Sequence, residues 1–302
     1  MLSRQNRCRP VVDCTRVTRL ILNADDFGLT PGVNQSIVEL HQAGALTSTT
    51  LMATADGFSA AAAAAIDHPR LGVGCHVVFV DGRPAQRQND IPALALPAGE
   101  FRPALNTFVL DLMRGRIPEE EIEVEAIAQI RRLQAAGVRV THLDTHKHTH
   151  MFVRVLRPLL RAARLCGVTA IRNPFEPDWA LAATPHAPLL RRWQVKLLRR
   201  RSEFLSMVRE AGLITTDGAI GVLATGTLNA ETLRRLLEAM PDGTWELVCH
   251  PGYTDAALEG VRTRLRESRA IEHGALLETI PAHVRAHPEI RLTHFGERGV
   301  MR

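Results

Sequence analysis

The chain has 302 residues, of which 45% are hydrophobic and 23% charged, a balance that excludes disorder as its main state and predicts a globular protein. No apolar run approaches the ~20 residues of a membrane-spanning helix, and the five scattered cysteines form no C-x-x-C pair, which argues against a disulfide framework or a thiolate zinc site. The formal net charge is +5, but the arginines are mostly interleaved with acids and there is one tyrosine, so we expect no nucleic-acid partner.

Residues 1–17 are predicted to form a polar tail that precedes the folded part of the chain. The tail contains no apolar stretch that could serve as the hydrophobic region of a signal peptide, so we expect a cytoplasmic protein. We expect residues 18–302 to form a single barrel domain, because no shift in composition marks a second one.

Short β-branched runs alternate with helical patterns from Arg19 onward, as in a parallel sheet with crossover helices. The first half is predicted to contain strands at 19–22, 48–52, 71–80 and 138–144, and helices at 31–43, at 59–67 and from 119 onward. Thr30 is suited to cap the first helix, and Pro31 to occupy its first position. The helix from Glu119 begins with acidic residues, which suit the positive end of a helix dipole. Its predicted apolar face comprises Ile122, Ala126, Ile130 and Leu133.

The second half continues this alternation around one long interruption. A helix at 152–166 and a strand at 168–172 are followed by a partly helical insertion over about 173–216. Strands at 219–223, 246–249 and 290–294 and a helical segment at 230–240 then resume the pattern. At least seven strand-like runs predict an α/β fold of the deformed (β/α) barrel type, similar to a TIM barrel.

Polar clusters stand at or directly after four of the predicted strands. They are Asp25 and Asp26 after the first strand, His76 within the third, the run from His142 to His150 after the fourth, and His250 near the end. Because the carboxyl ends of parallel strands share a face, these clusters would meet in a barrel.

Each cluster has a structural as well as a functional interpretation. Adjacent carboxylates resist joint ionisation, so Asp25 and Asp26 indicate a metal or catalytic pair as readily as a turn cap with a solvated neighbour. A single core histidine such as His76 is more often structural than a ligand. Arg172 is either a surface residue or a charge that holds a catalytic carboxylate ionised.

The histidine run favours a metal site, because His142, His146, His148 and His150 lie within nine residues. One ion cannot bind all four together with ligands from other strands, since catalytic sites usually have about three protein ligands. Asp144, His148 and His150 are therefore candidates for supporting the ligands or contacting substrate.

Five segments resemble the YdjC-like carbohydrate deacetylase family, which includes chito-oligosaccharide deacetylases and a hopanoid-pathway branch. They are LILNADDFGLTPGVNQSI at 20–37, GALTSTTLM at 44–52, GVGCHVVFVDGRP at 72–84, THLDTHKHTHMF at 141–152 and ELVCHPGYTD at 246–255. The resemblance implies a deformed (β/α) barrel and metal-dependent removal of acetyl groups from N-acetylated sugars.

The resemblance also implies a role for each matching residue. The metal ligands would be Asp26, His76 and His146, the general base Asp25 and the general acid His250 as an imidazolium. Arg172 would keep Asp25 ionised. Lys147 departs from the pattern, because the chito-oligosaccharide branch has another histidine there.

The implied cofactor is one divalent ion. One carboxylate with two imidazoles suits Zn²⁺, whereas Mg²⁺, the ion usually attributed to the family, prefers oxygen ligands. The substrate would be a chito-oligosaccharide-like sugar or an N-acetylglucosaminyl glycolipid. Two alternatives stay open: an amidohydrolase-type metal hydrolase acting on another amide, and a non-enzymatic binder that uses a basic surface.

The segment 189–201 combines leucines and Trp193 with a basic complement that contains no acid. This pattern is found in helices at membrane interfaces and also in helices packed on a barrel with a solvated basic face. Peripheral membrane contact through this segment and assembly into a homo-oligomer are left open by the sequence.

Overall fold

The computed structural model describes residues 18–185 and 201–297. Within them, one curled sheet of seven parallel strands has the order β4-β3-β2-β1-β6-β5, with β7 paired to β1. The strands are β1 (Thr18–Phe27), β2 (Ser48–Leu51), β3 (Gly72–Val77), β4 (Val140–Thr145), β5 (Gly218–Ile220), β6 (Thr244–Cys249) and β7 (Ile290–Thr293).

The long strand β1 is the centre of the sheet because it pairs along both of its edges. Leu20 pairs with Trp245 of β6 on one edge and with Leu292 of β7 on the other. Strand β2 pairs with the same edge of β1 as β7 does, but nearer the carboxyl end of β1, from Asn23 to Phe27. The predicted α/β fold with a barrel-like parallel sheet is confirmed.

The sheet continues beyond β4 only through isolated bridges. Leu143 pairs with Ile171, and Ala170 pairs with Ile214. The strand predicted at 168–172 is therefore reduced to single residue pairs.

Helices cover this sheet, and those predicted at 31–43, 59–67, 152–166 and 230–240 begin and end within two residues of the prediction. The helices are α1 (Pro31–Gln42), α2 (Phe58–Asp67), α3 (Leu105–Met113), α4 (Glu119–Ala135), α5 (Val153–Leu165), α6 (Asp178–Ala183), α7 (Arg201–Glu210), α8 (Ala230–Glu238), α9 (Ala256–Glu259) and α10 (Glu267–Ala286). Short 3₁₀ segments cover Gln88–Asp90 and His146–Met151. Thr30 caps α1 by accepting a hydrogen bond from the Val33 N–H, and the predicted apolar face of α4 is fully buried.

Three of the described helices, α3, α9 and α10, were not predicted from the sequence. Helix α3 lies between the strand predicted at 71–80 and the helix predicted from Glu119, and α10 contains Gly274 and Pro281, residues that usually disfavour a helix interior. Helix α10 is nevertheless the longest described helix, and it packs beside the strand ends that carry the polar clusters.

Close packing between β3 and β4 explains why position 74 is a glycine. A Cβ atom on Gly74 would lie 2.5 to 2.7 Å from three ring atoms of His142. The His142 ring is buried and stacks on Phe295 with centroids 4.1 Å apart. His142 is therefore a core residue of the sheet, and glycine at 74 makes room for it.

Part of the predicted periphery lies outside the described residues. The tail over 1–17 and residues 189–200 of the basic segment are in this group, and only Arg201 of that segment is described, at the start of α7. Helices α6 and α7 lie within the insertion predicted over about 173–216. Among the described helices, none combines the length and apolar character that crossing a bilayer requires.

Candidate active site

The carboxyl ends of four strands meet at one edge of the sheet. Asp25 and Asp26 lie near the end of β1, His76 lies in β3, His146 directly follows β4 and His250 directly follows β6. Side chains from several strand ends are the usual source of a site in such folds. The structure therefore brings together the residues that the sequence singled out.

The backbone bulges at the two aspartates. The register between β1 and β2 shifts between Ala24 and Phe27, and Asp26 has a left-handed conformation with φ of 66°. Neighbours on a regular strand point to opposite faces, which would separate the two carboxylates. The bulge re-aims Asp26, so that both Asp25 and Asp26 line the same cleft.

Three side chains, the metal group, could together hold a metal ion: Asp26, His76 and His146. Asp26 Oδ1 lies 3.6 Å from His76 Nε2 and 3.5 Å from His146 Nδ1, and the two nitrogens are 3.2 Å apart. Ligand atoms at tetrahedral positions around zinc, with bonds of about 2.0–2.1 Å, lie roughly 3.3–3.4 Å from one another. The three donors therefore fit a single shared ion.

Asp144 orients the His76 ring. His76 Nδ1 lies 2.8 Å from Asp144 Oδ1, and a carboxylate only accepts, so Nδ1 carries the proton and Nε2 faces Asp26. Burial alone would lower the pKa of His76, but Asp144 and the two neighbouring aspartates outweigh it and raise the pKa to about 9. The pocket thus favours positive charge at this point, from a proton or from a metal ion.

Arg172 is fully buried among three carboxylates. Its Nη2 and Nη1 donate to Asp25 Oδ1 and Oδ2 at 2.7 and 2.9 Å, and it also donates to Asp144 and Glu246. Burial alone would raise the pKa of Asp25, but Arg172 outweighs it and holds that pKa below its usual range. Asp25 is therefore an ionised carboxylate fixed by a two-pronged guanidinium contact.

Arg269 of α10 makes the corresponding contact with Asp26. Its Nη2 donates to Asp26 Oδ2 at 2.6 Å. Burial would raise the pKa of Asp26, but Arg269, followed by His146, outweighs it and lowers the pKa well below its usual value. The two adjacent aspartates are thus held ionised by two different arginines.

His250 lines the same cleft, next to Asp25. Its Nε2 lies 3.7 Å from Asp25 Oδ2, and its backbone N–H donates to Glu272 Oε2 at 2.6 Å. Burial lowers the pKa of His250 to about 4, so the ring is neutral near neutral pH. The family resemblance implies an imidazolium here, whereas the surroundings in the structure favour the neutral ring until it receives a proton.

The rest of the histidine run is divided between the cleft and the core. His148 lines the cleft, and its Nδ1 has no hydrogen-bond partner within the described part of the chain. His150 is buried, with Nδ1 2.7 Å from Thr145 Oγ1, and its ring lies near Phe204. Of these two candidates, only His148 is placed to contact a substrate.

Lys147 and His148 connect the site to the rim of the cleft. Both have left-handed backbones, with φ of 56° and 52°. Lys147 Nζ lies 2.9 Å from Asp81 Oδ2, and Arg262 Nη1 lies 3.3 Å from the other Asp81 oxygen. These residues border a cleft of about 970 Å³ whose floor holds the metal group and His250.

Three buried charged residues at the site were missed by the sequence analysis: Glu246, Arg269 and Glu272. Glu246 interrupts the otherwise apolar run of β6, and a charge in such a strand requires a partner, so this signal could have found it. Arg269 and Glu272 lie on α10, which was itself not predicted.

Comparison with known proteins gives consistent results for sequence and fold. The sequence matches the YdjC-like protein family over residues 19–282. A carbohydrate deacetylase of Brevibacillus brevis is 34% identical over 241 residues, which is 80% of this chain and 84% of that protein. A carbohydrate deacetylase of Halalkalibacterium halodurans is 32% identical over 271 residues, 87% of this chain and 98% of that protein.

Among solved structures, a protein of Enterococcus faecalis, described provisionally as a cellobiose-phosphate cleavage protein, has the same fold. The two superpose with a TM-score of 0.75 at 25% sequence identity. The match covers 92% of this chain and 98% of the other. The curled parallel sheet and its helices are therefore shared over nearly the whole of both chains.

Proposed function

Because the chain belongs to the YdjC-like family, we propose that it is a metal-dependent hydrolase that removes N-acetyl groups from an acetylated amino sugar. The observation that carries the proposal is the geometry of the strand ends. Asp26, His76 and His146 form a ligand group at the floor of a cleft that also contains Asp25 and His250. The two bacterial relatives are named carbohydrate deacetylases, which supports an acetylated carbohydrate as the substrate.

One divalent ion bound to Asp26, His76 and His146 would polarise the acetyl carbonyl and lower the pKa of a water molecule. Two imidazoles and one carboxylate suit Zn²⁺ better than Mg²⁺, which prefers oxygen ligands. Metal analysis of the purified protein distinguishes the two ions.

In this proposal Asp25 acts as the general base. It is ionised, it lines the cleft, and Arg172 fixes both of its oxygens. Proton removal makes water nucleophilic enough to attack the amide carbon, which gives a tetrahedral intermediate.

His250 is the group placed to receive that proton. Its neutral ring lies 3.7 Å from Asp25 Oδ2, close enough for transfer after a small movement. The resulting imidazolium protonates the amine nitrogen, the carbon–nitrogen bond breaks, and acetate and the free amine leave. The proton that water loses is thus the proton that the amine gains.

The test is an assay of metal-reconstituted protein with N-acetylglucosamine, its oligomers and an N-acetylglucosaminyl glycolipid, with free acetate and free amine both measured. We expect equal amounts of the two products from at least one class of substrate. Asp25→Asn should retain metal but lose about 10²–10⁴-fold in rate, because an amide cannot accept the proton. Activity of this variant within a few-fold of wild type would contradict the assigned base, and absence of both products from every sugar would contradict the function.

A further inference from the structure

Arg269 is buried against both the metal group and the loop that carries His250. Its side chain is 1% exposed and donates to three oxygens. Nη2 reaches Asp26 Oδ2 at 2.6 Å, Nε reaches the Leu265 carbonyl at 3.1 Å and Nη1 reaches the His250 carbonyl at 3.5 Å. The guanidinium thus has a fixed position.

The contact with Arg269 gives the two carboxylate oxygens of Asp26 different neighbours. Oδ2 is occupied by Arg269, whereas Oδ1 faces the two imidazole nitrogens at 3.6 and 3.5 Å. A carboxylate with both oxygens free can bind a metal through either one or both. Here Oδ2 already accepts a charge-assisted hydrogen bond from Arg269, and Oδ1 is the oxygen that faces the imidazoles.

We propose that Arg269 is a positioning residue that restricts Asp26 to binding the metal through one oxygen. This inference rests on the proposed ligands Asp26, His76 and His146. One carboxylate oxygen and two imidazole nitrogens make three protein ligands, the number with which a catalytic site keeps a position open for solvent. A second carboxylate oxygen would compete for that position.

The surroundings of Arg269 support a dedicated position for its side chain. A Cβ atom on Gly252 would lie 3.0 Å from Arg269 Cδ, so glycine at 252 leaves space for the arginine stem. Glu272, one helical turn further along α10, accepts hydrogen bonds from the N–H groups of His250 and Gly226. The same face of α10 therefore fixes both Asp26 and the backbone of His250.

The decisive measurement is the visible absorption spectrum of the Co²⁺-substituted protein, which reports the coordination of the metal independently of activity. In Arg269→Gln the freed Oδ2 should join Oδ1 on the metal, and the higher coordination number should weaken and shift the absorption bands. Metal affinity, measured by competition with a chelator, should not fall, because the added oxygen and the lost positive charge both favour a cation. The deacetylation rate should fall.

An ordinary supporting role for Arg269 leads to a different result. Loss of a residue that only supports a ligand costs about 10–100-fold in metal affinity, without a change in ligand number. Unchanged bands in Arg269→Gln, or a loss of affinity of that size, would overturn the inference. Arg269→Lys retains a cation able to reach one oxygen and should keep a spectrum close to that of wild type, which provides a second test if the Gln variant folds poorly.

Arg266→Gln is the matched control: within the described residues Arg266 donates only to backbone carbonyls at the end of α9 and just after it, so its loss should leave the Co²⁺ bands unchanged. The proposed metal ligands are tested separately. If the wild-type protein binds no Co²⁺, the proposed metal site fails. If it binds Co²⁺ and Arg269→Gln has the same spectrum, only the role of Arg269 fails.

Discussion

Replacing Glu246 by Gln should change how the stability of the protein depends on pH. Glu246 is fully buried; its Oε1 accepts a hydrogen bond from Arg172 Nε at 2.8 Å and lies 2.7 Å from Arg172 Nη2. Its other oxygen has no partner among the described residues. Burial raises the pKa of this carboxyl from 4.5 to about 7, and Arg172 offsets only part of the effect.

The raised pKa means that the folded state holds the Glu246 proton more tightly than the unfolded state does. The free energy of unfolding therefore falls as the pH rises from 4.5 toward about 7, and the contribution is constant above that range. At 1.36 kcal/mol for each pKa unit, Glu246 destabilises the folded protein by about 3 kcal/mol at pH 8 relative to about pH 4.

Gln cannot ionise, so Glu246→Gln removes this contribution. The new buried amide costs about 1–3 kcal/mol if it stays unpaired, but that cost does not depend on pH. The stability difference between variant and wild type should therefore move by about 3 kcal/mol in favour of the variant between about pH 4 and about pH 8.

The assay is urea unfolding of both proteins across this pH range, with metal removed by a chelator because a bound cation would lower the pKa of nearby carboxyls. Glu289→Gln is a control of opposite sign, since its own backbone N–H and His287 lower the pKa of that exposed carboxyl. A stability difference between Glu246→Gln and wild type that stays constant with pH would refute the reasoning.

Four further predictions address single contacts. His146→Ala should abolish stoichiometric metal binding, measured by elemental analysis after dialysis, and retention at wild-type affinity would contradict the ligand assignment. Arg172→Met should lower the free energy of unfolding by about 3–5 kcal/mol in denaturant titrations, because it leaves buried carboxylates unpaired. Gly74→Ala should cost about 1–3 kcal/mol in the same assay, since its Cβ would overlap the His142 ring, and an unchanged midpoint would contradict that packing. Lys147→Met should raise KM for the sugar with kcat within a few-fold, because Lys147 lies on the rim of the cleft; an equal loss in kcat would place it nearer the reacting atoms.

Local patterns in the sequence were sufficient to predict the strands of the sheet and helices α1, α2, α4, α5 and α8. Alternating β-branched runs predict β1 to β4 and β6, and Thr30 with Pro31 predicts the start of α1, because these signals act over a few residues. They fail at 168–172, where an apolar run forms only single bridges. They also fail at α10, where a glycine and a proline interrupt the pattern and packing between distant segments decides the outcome.

The site was predictable to the extent that strand ends define it. Asp25, Asp26, His76, His250 and the histidine run after β4 follow from the rule that parallel strands end at a common edge. The choice of His146 within that run rests on the family resemblance alone. Which neighbour fixes each of them does not follow from that rule. Arg269 is 243 residues from Asp26 along the chain, and no periodic signal connects them.

The two arginines explain how adjacent aspartates can coexist in a buried site. Asp25 and Asp26 are 1% and 3% exposed, so neither carboxylate can rely on water to stabilise its charge. Arg172 holds Asp25 from the β4 side and Arg269 holds Asp26 from α10, which allows both to be ionised at once. Each aspartate has its own cation, and the bulge at Asp26 turns that residue toward the histidines, which is the basis for proposing Asp25 as the general base and Asp26 as a metal ligand. The proposed division of roles between two chemically identical neighbours thus depends on what surrounds each one, which explains why the sequence DD alone left both interpretations open.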